Sequence, residues 1–475
     1  MTRRLTCAGV SLLLALGGAQ PLRAQGSNVM QHGACATSMV SAGVASPCHD
    51  GSAVLFNPAA LAGQQSVISA GVTAIITASD FTYDFTGERV ERDATTSFVP
   101  FGFLNHRITD RLAAGFGVFA PYGLGIDWPL EFEGRFVSYD TSLRNIYLQP
   151  TLSYALADWL TVGGGVDVVL GSIELNQRLD LSEQIVPDPS TGQPVTIPGT
   201  NTPARFGNFG VPRSTDFADA RLAGDGTGAT FNVGAILRFS DFLSAGVRYL
   251  HSAEIDYDGD ARFEPVPTGL TLGAGNPFGV PGGTPLDALL QGQFSGEGAL
   301  APRDIGTTLE LPYQVVVGLA VSPTETLKLL ADYQFTGWES FDVAEIDFAE
   351  GGPDTELVLD YRNTHTFLVG AEYAAAEDLD LRAGWRFNTA AEKAASVSPF
   401  LPEADRNYYT AGLGYDLGRG LRVDLAYQAI VQADRRGRVR SRTLEQNAGD
   451  VNVGVYSNDA HAFSASVSYS FGGDR

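Results

Sequence analysis

Side chains able to do chemistry are thinly spread along this 475-residue chain. There is no Gly-x-Ser-x-Gly elbow to present a serine nucleophile and no His-Glu-x-x-His pair to hold zinc. His106, His251, His365 and His461 stand singly in strand-like stretches. Asp256-Tyr257-Asp258-Gly259-Asp260 has the acid spacing of a calcium loop but lacks the frame and the closing bidentate glutamate. No catalytic residue, metal or cofactor is therefore expected. What remains is a set of arginines. Arg238, Arg248, Arg382, Arg386 and Arg422 fall on faces defined by every second residue, where a guanidinium could meet the carboxylate of an amphipathic acid. Asp167, Asp332, Glu372, Asp380 and Asp424 share those faces, so most of these cations should be paired within the protein. Arg248 and Arg386 are the candidates for ligand binding. A second set is apolar: Phe206, Phe209, Phe278 and Leu286 lie in loop stretches unusually greasy for a surface. They suit either a capture groove or a lid of loops packed on each other.

Faces of that kind require strands. Phe463, Ala465, Val467, Tyr469 and Phe471 alternate with Ser464, Ser466, Ser468 and Ser470. Leu379, Leu381, Ala383, Trp385 and Phe387 oppose Asp380, Arg382, Gly384 and Arg386, and Leu421, Val423, Leu425 and Tyr427 oppose Arg422, Asp424 and Gln428. About fourteen such segments reach the roughly 9–11 residues that span a bilayer. They begin near Ser66, Thr95, Arg111, Arg144, Trp159, Gly228, Phe242, Leu309, Thr326, Arg362, Leu379, Arg406, Leu421 and Tyr456. Tight turns at Thr109-Asp110, Ala157-Asp158, Ser240-Asp241, Pro323-Thr324, Ala376-Glu377 and Gly418-Arg419 alternate with long polar connections, the longest at 178–227 and 259–308. A soluble sandwich does not sort its loops this way. The pattern predicts an all-β fold, a transmembrane antiparallel β-barrel of about fourteen strands closed so that no backbone donor is left facing lipid. Tyr154, Trp159, Tyr249, Tyr333, Tyr373, Tyr415 and Tyr469 suit an interfacial girdle.

The leading residues set the compartment. Arg3 and Arg4, an apolar stretch from Ala8 to Ala19 and a small residue at Ala24 read as a secretory signal peptide, 1–24, too short to anchor. Losing Arg3, Arg4 and Arg23 with it takes the formal charge from −23 to −26, which argues against nucleic acid as a partner. Cys35 and Cys48 are then the cysteines left, an even pair expected to form a disulfide in an oxidising compartment. Residues 25–65 carry that pair and do not read as a strand. A barrel of this size has a lumen too wide for side chains to fill, so the segment is expected to plug it. The barrel proper is 66–475.

Asn57-Pro58-Ala59 stands just before the first strand. Phe119-Ala120-Pro121-Tyr122-Gly123-Leu124, with Trp128 and Gly134-Arg135 downstream, and Asp256-Tyr257-Asp258-Gly259-Asp260-Ala261 complete a set of motifs. With these the whole mature chain resembles the FadL/TodX family of outer-membrane long-chain fatty acid and hydrocarbon transporters. The resemblance implies a hatch in the lumen, which Asn57, Pro58 and Ala59 would anchor. It implies passive uptake of a hydrophobic small molecule such as a long-chain fatty acid, captured by the outer loops and bound in the lumen. Exit would be sideways near the third strand, where Gly115, Gly117, Pro121 and Gly123 should weaken the ladder. The expected setting is the outer membrane of a Gram-negative-type bacterium. The expected partners are the ligand, outer-membrane lipid and the barrel-assembly machinery during biogenesis, with the protein working as a monomer. The competing readings are a structural or adhesive barrel without transport, and an outer-membrane hydrolase.

Overall fold

A computed structural model describes residues 28–92, 95–186, 193–197, 199–274, 276, 281–296, 298–341, 343–349, 355–358, 361–394, 397–437 and 453–472. The signal peptide, residues 25–27 and Phe278 lie outside the described residues. Fourteen long strands run antiparallel in chain order. They are β1 Ser66–Tyr83, β2 Thr95–Arg107, β3 Leu112–Asp127, β4 Asp140–Ala157, β5 Leu160–Asp180 and β6 Asp216–Arg238. Next come β7, Leu243–Leu250 continued by Ala253–Pro265, and β8, Arg303–Leu311 continued by Gln314–Thr324. The rest are β9 Leu327–Thr336, β10 Thr364–Ala376, β11 Leu379–Asn388, β12 Arg406–Gly418, β13 Leu421–Gln432 and β14 Gly454–Phe471. β14 pairs with β1 along its whole length, Ser66 opposite Phe471 and Tyr83 opposite Gly454. The sheet is a closed cylinder, and its tight turns all fall at one end.

Alternation decides which side of each strand meets the lumen. In β14 Ser464, Ser466 and Ser468 are buried while Phe463, Val467 and Tyr469 are about half exposed. In β5 Asp167 is buried between exposed Val166 and Val168. Ile68, Val72, Phe98, Leu152, Phe231, Val317, Leu319, Phe367 and Leu425 continue the apolar exterior around the wall. In water so large a greasy surface would drive association; in a bilayer it is the matching face.

The singly placed histidines belong to this exterior. Tyr249 hydrogen-bonds His251 Nδ1 at 2.7 Å, Tyr333 bonds His365 Nδ1 at 2.7 Å, and Tyr427 bonds His461 Nδ1 at 2.8 Å. Trp385 donates from Nε1 to Asn407 Oδ1 at 3.2 Å. These aromatics stand at matching heights on β7, β9, β11 and β13, a belt of amphipathic rings with their polar tips satisfied.

The long connections are shorter than the sequence pattern suggested. β5 continues to Asp180 and β6 starts at Asp216 rather than near Gly228, while β7 reaches Pro265 and β8 starts at Arg303 rather than near Leu309. The alternation of Leu222-Ala-Gly-Asp-Gly-Thr-Gly228 carries no large outward apolar residue, because the wall there has risen beyond the hydrocarbon. A strand without a greasy face reads as loop.

Candidate functional site

The described part of the N-terminal segment lies inside the cylinder. It holds two short helices, α1 Ala34–Ser38 and α2 Ala53–Phe56, and a 3-10 turn at Pro58–Gly63. Its tethers run around the wall. Asn57 accepts the Ala59 N–H at 3.1 Å, which caps the turn, and donates from Nδ2 to Val44 O at 2.6 Å, Ala235 O at 3.3 Å and Val247 O at 3.4 Å. Pro58 starts the turn, where its missing N–H costs nothing. The Ser153 hydroxyl of β4 donates to Ala59 O at 2.9 Å, and Thr410 of β12 donates to Ser38 O at 2.8 Å. Asp332 of β9 accepts the N–H groups of Gly43 at 2.6 Å and Val44 at 2.9 Å. The sulfurs of Cys35 and Cys48 stand at bonding distance, 2.01 Å, and cross-link this segment.

The wall makes room with glycine. A Cβ on Gly163 would stand 2.4 Å from Pro58 C, one on Gly246 2.2 Å from Val44 O, and one on Gly412 2.4 Å from Ser38 Cβ. Backbone of the segment is therefore seated directly against backbone of the wall.

At β3 the ladder fails. β2 and β3 pair from Arg107–Ala113 up to Gly102–Val118 and no further. A bulge between Phe119 and Tyr122 interrupts pairing with β4, after which the strand continues to Asp127. The chain around residues 28–32 fills the break: Val29 N–H donates to Pro121 O at 2.7 Å, and Ala120 N–H donates to His32 Nε2 at 2.9 Å. Of the four residues expected to weaken the wall, Pro121 and Gly123 lie at this break. Gly115 and Gly117 do not: they sit in the paired part, opposite Asn105 and Phe103, and a Cβ on either would strike Val54 of α2 at 2.8 and 2.9 Å. Their small size serves packing of the plug, a demand that strand reading alone does not reveal.

His32 is fully buried between Phe101 and Phe119, and desolvation holds its ring down at about 3 against an ordinary 6.5. Between those values the unfolded chain binds a proton that the folded one does not, so stability falls as pH drops through the window. His32→Gln is expected to flatten the decline of the melting temperature between pH 6.5 and pH 3. An acid limb of unchanged slope would reject this assignment.

Toward the loop end the lumen opens into an apolar chamber. Leu124, Leu143, Ile173, Leu175, Leu222, Tyr257, Ile305 and Leu309 come from β3 to β8, and Phe341, Tyr361, Phe400 and Leu401 come from the connections above. Sequence reading missed it. The signal was present as apolar residues at lumen-facing positions of β6 and β8, Leu222 and Ile305, within the stretches 178–227 and 259–308 that the sequence pattern reads as loops.

The candidate ligand residues are dispersed. Phe206 and Leu286 meet, each 2% exposed, in a cluster of the outer loops with Phe217 and Leu290, separate from the chamber's own walls. That is loop packed on loop. Phe209 remains exposed. Arg248 is buried in the lumen, donating from Nε to Asn232 Oδ1 and from Nη1 to Gln314 Oε1, both at 3.1 Å. Arg386 is buried on β11 with its guanidinium 4.7 Å from the Tyr408 ring centre. Arg382 pairs with Asp424 at 2.6 Å and Glu372 at 2.7 Å, and Arg422 with Asp380, so these form a wall network. Among the described residues no group of three or more His, Cys, Asp or Glu is placed to hold a metal.

Comparisons with known proteins agree along the whole length. The family model described as "Outer membrane protein transport protein (OMPP1/FadL/TodX)" matches residues 15–471. Outer membrane protein P1 of Haemophilus influenzae is 23% identical over 384 residues, covering 79% of this chain and 75% of that one. The long-chain fatty acid transport protein of Escherichia coli O6:H1 is 23% identical over 356 residues, 72% of each chain. The structure of a Pseudomonas aeruginosa FadL homologue superposes with a TM-score of 0.77 at 22% identity, over 94% of this chain and 100% of that one. The Pseudomonas putida toluene transporter TodX gives 0.64 at 19%, over 95% and 100%.

Proposed function

This chain belongs to the OMPP1/FadL/TodX family of outer-membrane transport proteins, and from that premise we propose the route its cargo takes. Membership makes it an outer-membrane β-barrel for hydrophobic compounds and sets aside the adhesive barrel and the hydrolase. The cargo is a hydrophobic small molecule of the long-chain fatty acid or hydrocarbon kind. It is gathered at the outer loops, to which the sequence assigns Phe206, Phe209, Phe278 and Leu286, and moves down its own gradient into the apolar chamber. Arg248 and Arg386 are the lumen-facing cations available to a polar head. Residues 25–65 act as the hatch, anchored by Asn57, Pro58 and Ala59, so the straight path to the periplasm is shut. The cargo leaves sideways, through the break beside Pro121 and Gly123, into lipid. The partners are the surrounding outer-membrane lipid and, during biogenesis, the barrel-assembly machinery; the protein works as a monomer.

One observation carries this reading: an apolar chamber walled by Leu124, Leu143, Ile173, Tyr257 and Leu309 lies above a plugged lumen. The hydrogen bonds of Val29 and His32 to the broken strand contribute roughly 1–3 kcal/mol together, so thermal motion can release them. Cells lacking their own transporter, expressing this protein, are expected to take up labelled oleate or hexadecane well above empty-vector cells. Vector-level uptake with the barrel correctly assembled would defeat the proposal.

A further inference from the structure

Beneath the chamber, and above α2, lies a cluster of polar side chains with unused hydrogen-bonding capacity. Gln149 Nε2 donates to Val54 O at 2.9 Å and Asn232 Nδ2 donates to Leu55 O at 3.0 Å, which places the cluster on top of the plug. Both carboxylate oxygens of Asp167 are buried without a partner, as are Arg248 Nη2, Asn145 Nδ2, the Tyr147 hydroxyl and Gln149 Oε1. Asp167 is fully buried and lies within the field of the Arg248 charge, yet no ion pair joins them among the described residues. Tyr257 divides cluster from chamber. It lines the chamber, and its hydroxyl donates to Asn145 Oδ1 at 2.7 Å. Gly171 leaves space for that contact, since a Cβ there would stand 2.7 Å from Tyr257 Oη and 2.9 Å from Asn145 Oδ1.

A buried carboxylate without a donor is costly, and the site holds it beside an arginine with one nitrogen to spare. We propose that Asp167, Arg248, Asn145, Tyr147 and Gln149 form a second luminal site that takes the uncharged head group of an amphipathic ligand once Tyr257 turns aside. An alcohol, a phenol, a primary amide or a protonated acid offers a donor to Asp167 or Gln149 and an acceptor to Arg248 or Asn145. A carboxylate offers acceptors only and sets a second negative charge beside Asp167. The inference rests on the uptake reading above and names the head group that this protein selects.

The test is calorimetric binding of octanamide, 1-octanol and octanoate to the full-length barrel in detergent at pH 8.5. Wild type is expected to bind octanamide about tenfold more tightly than octanoate, the scale of one charge-assisted hydrogen bond. Asp167→Asn is expected to erase that preference. Equal or tighter binding of octanoate by wild type, or no binding of any of the three, overturns the proposal. So does an unchanged ratio in Asp167→Asn. Should the variant not assemble, the wild-type ratio decides alone. Uptake of hexadecane, which has no head group, is measured in parallel and reports on the transport reading by itself.

Discussion

Ile305→Trp is expected to reduce hydrocarbon uptake at least tenfold while the barrel assembles and melts normally. Ile305 of β8 lines the chamber, on the same lumen-facing alternation as Leu309. An indole in its place projects inward. It then occupies the volume in which an acyl chain or ring would be buried. Excluding as few as two methylenes, at about 0.8 kcal/mol each, already weakens binding more than tenfold. Val317→Trp, on the lipid-facing side of the same strand, serves as the control and is expected to leave uptake unchanged. Initial rates with labelled hexadecane at matched surface expression decide the matter. Full uptake by the Ile305 variant would mean that the chamber is not on the path.

Gly163→Val is expected to produce the largest structural effect. The new Cβ would lie 2.4 Å from Pro58 C and 2.5 Å from Pro58 O, and neither is the free end of a flexible side chain. Wall and plug cannot both keep their places. Overpacking of this kind costs roughly 1–3 kcal/mol or more, and here it falls on the turn held by Asn57 and Ser153. The barrel is expected to melt earlier, and the assembled fraction to pass ions in planar bilayers where wild type is closed. Gly273→Val is the matching control, because a Cβ at Gly273 meets nothing within 4 Å. Wild-type melting and wild-type conductance in the Gly163 variant would show that the segment is not seated as described.

Much of the wall was legible because lipid imposes a rule on every second residue. Ser464 to Phe471 and Leu379 to Phe387 announce their two faces, and the tight turns at Thr109, Ala157 and Gly418 divide them. Legibility ends where lipid ends. Above the hydrocarbon, Leu222 to Gly228 obeys no outward rule, and the chamber it helps to line went unread. The wall glycines were opaque for a different reason. Gly115, Gly117 and Gly163 owe their size to a segment distant in sequence, and no local pattern records what lies across a lumen. Arg248 was picked by alternation alone. Its partners proved to be the neutral amides of Asn232 and Gln314 rather than the acids that share its face.

Once β14 has zipped onto β1, Cys35 and Cys48 are 4% and 8% exposed within a sealed cylinder. No thiol-oxidising enzyme could thread its active site that far. The cross-link must then be made while the chain is still an open ribbon in the periplasm, so that the stopper is finished before the bottle is blown around it. For the same reason a bulky protein reductant offered to the mature barrel should find nothing to reduce.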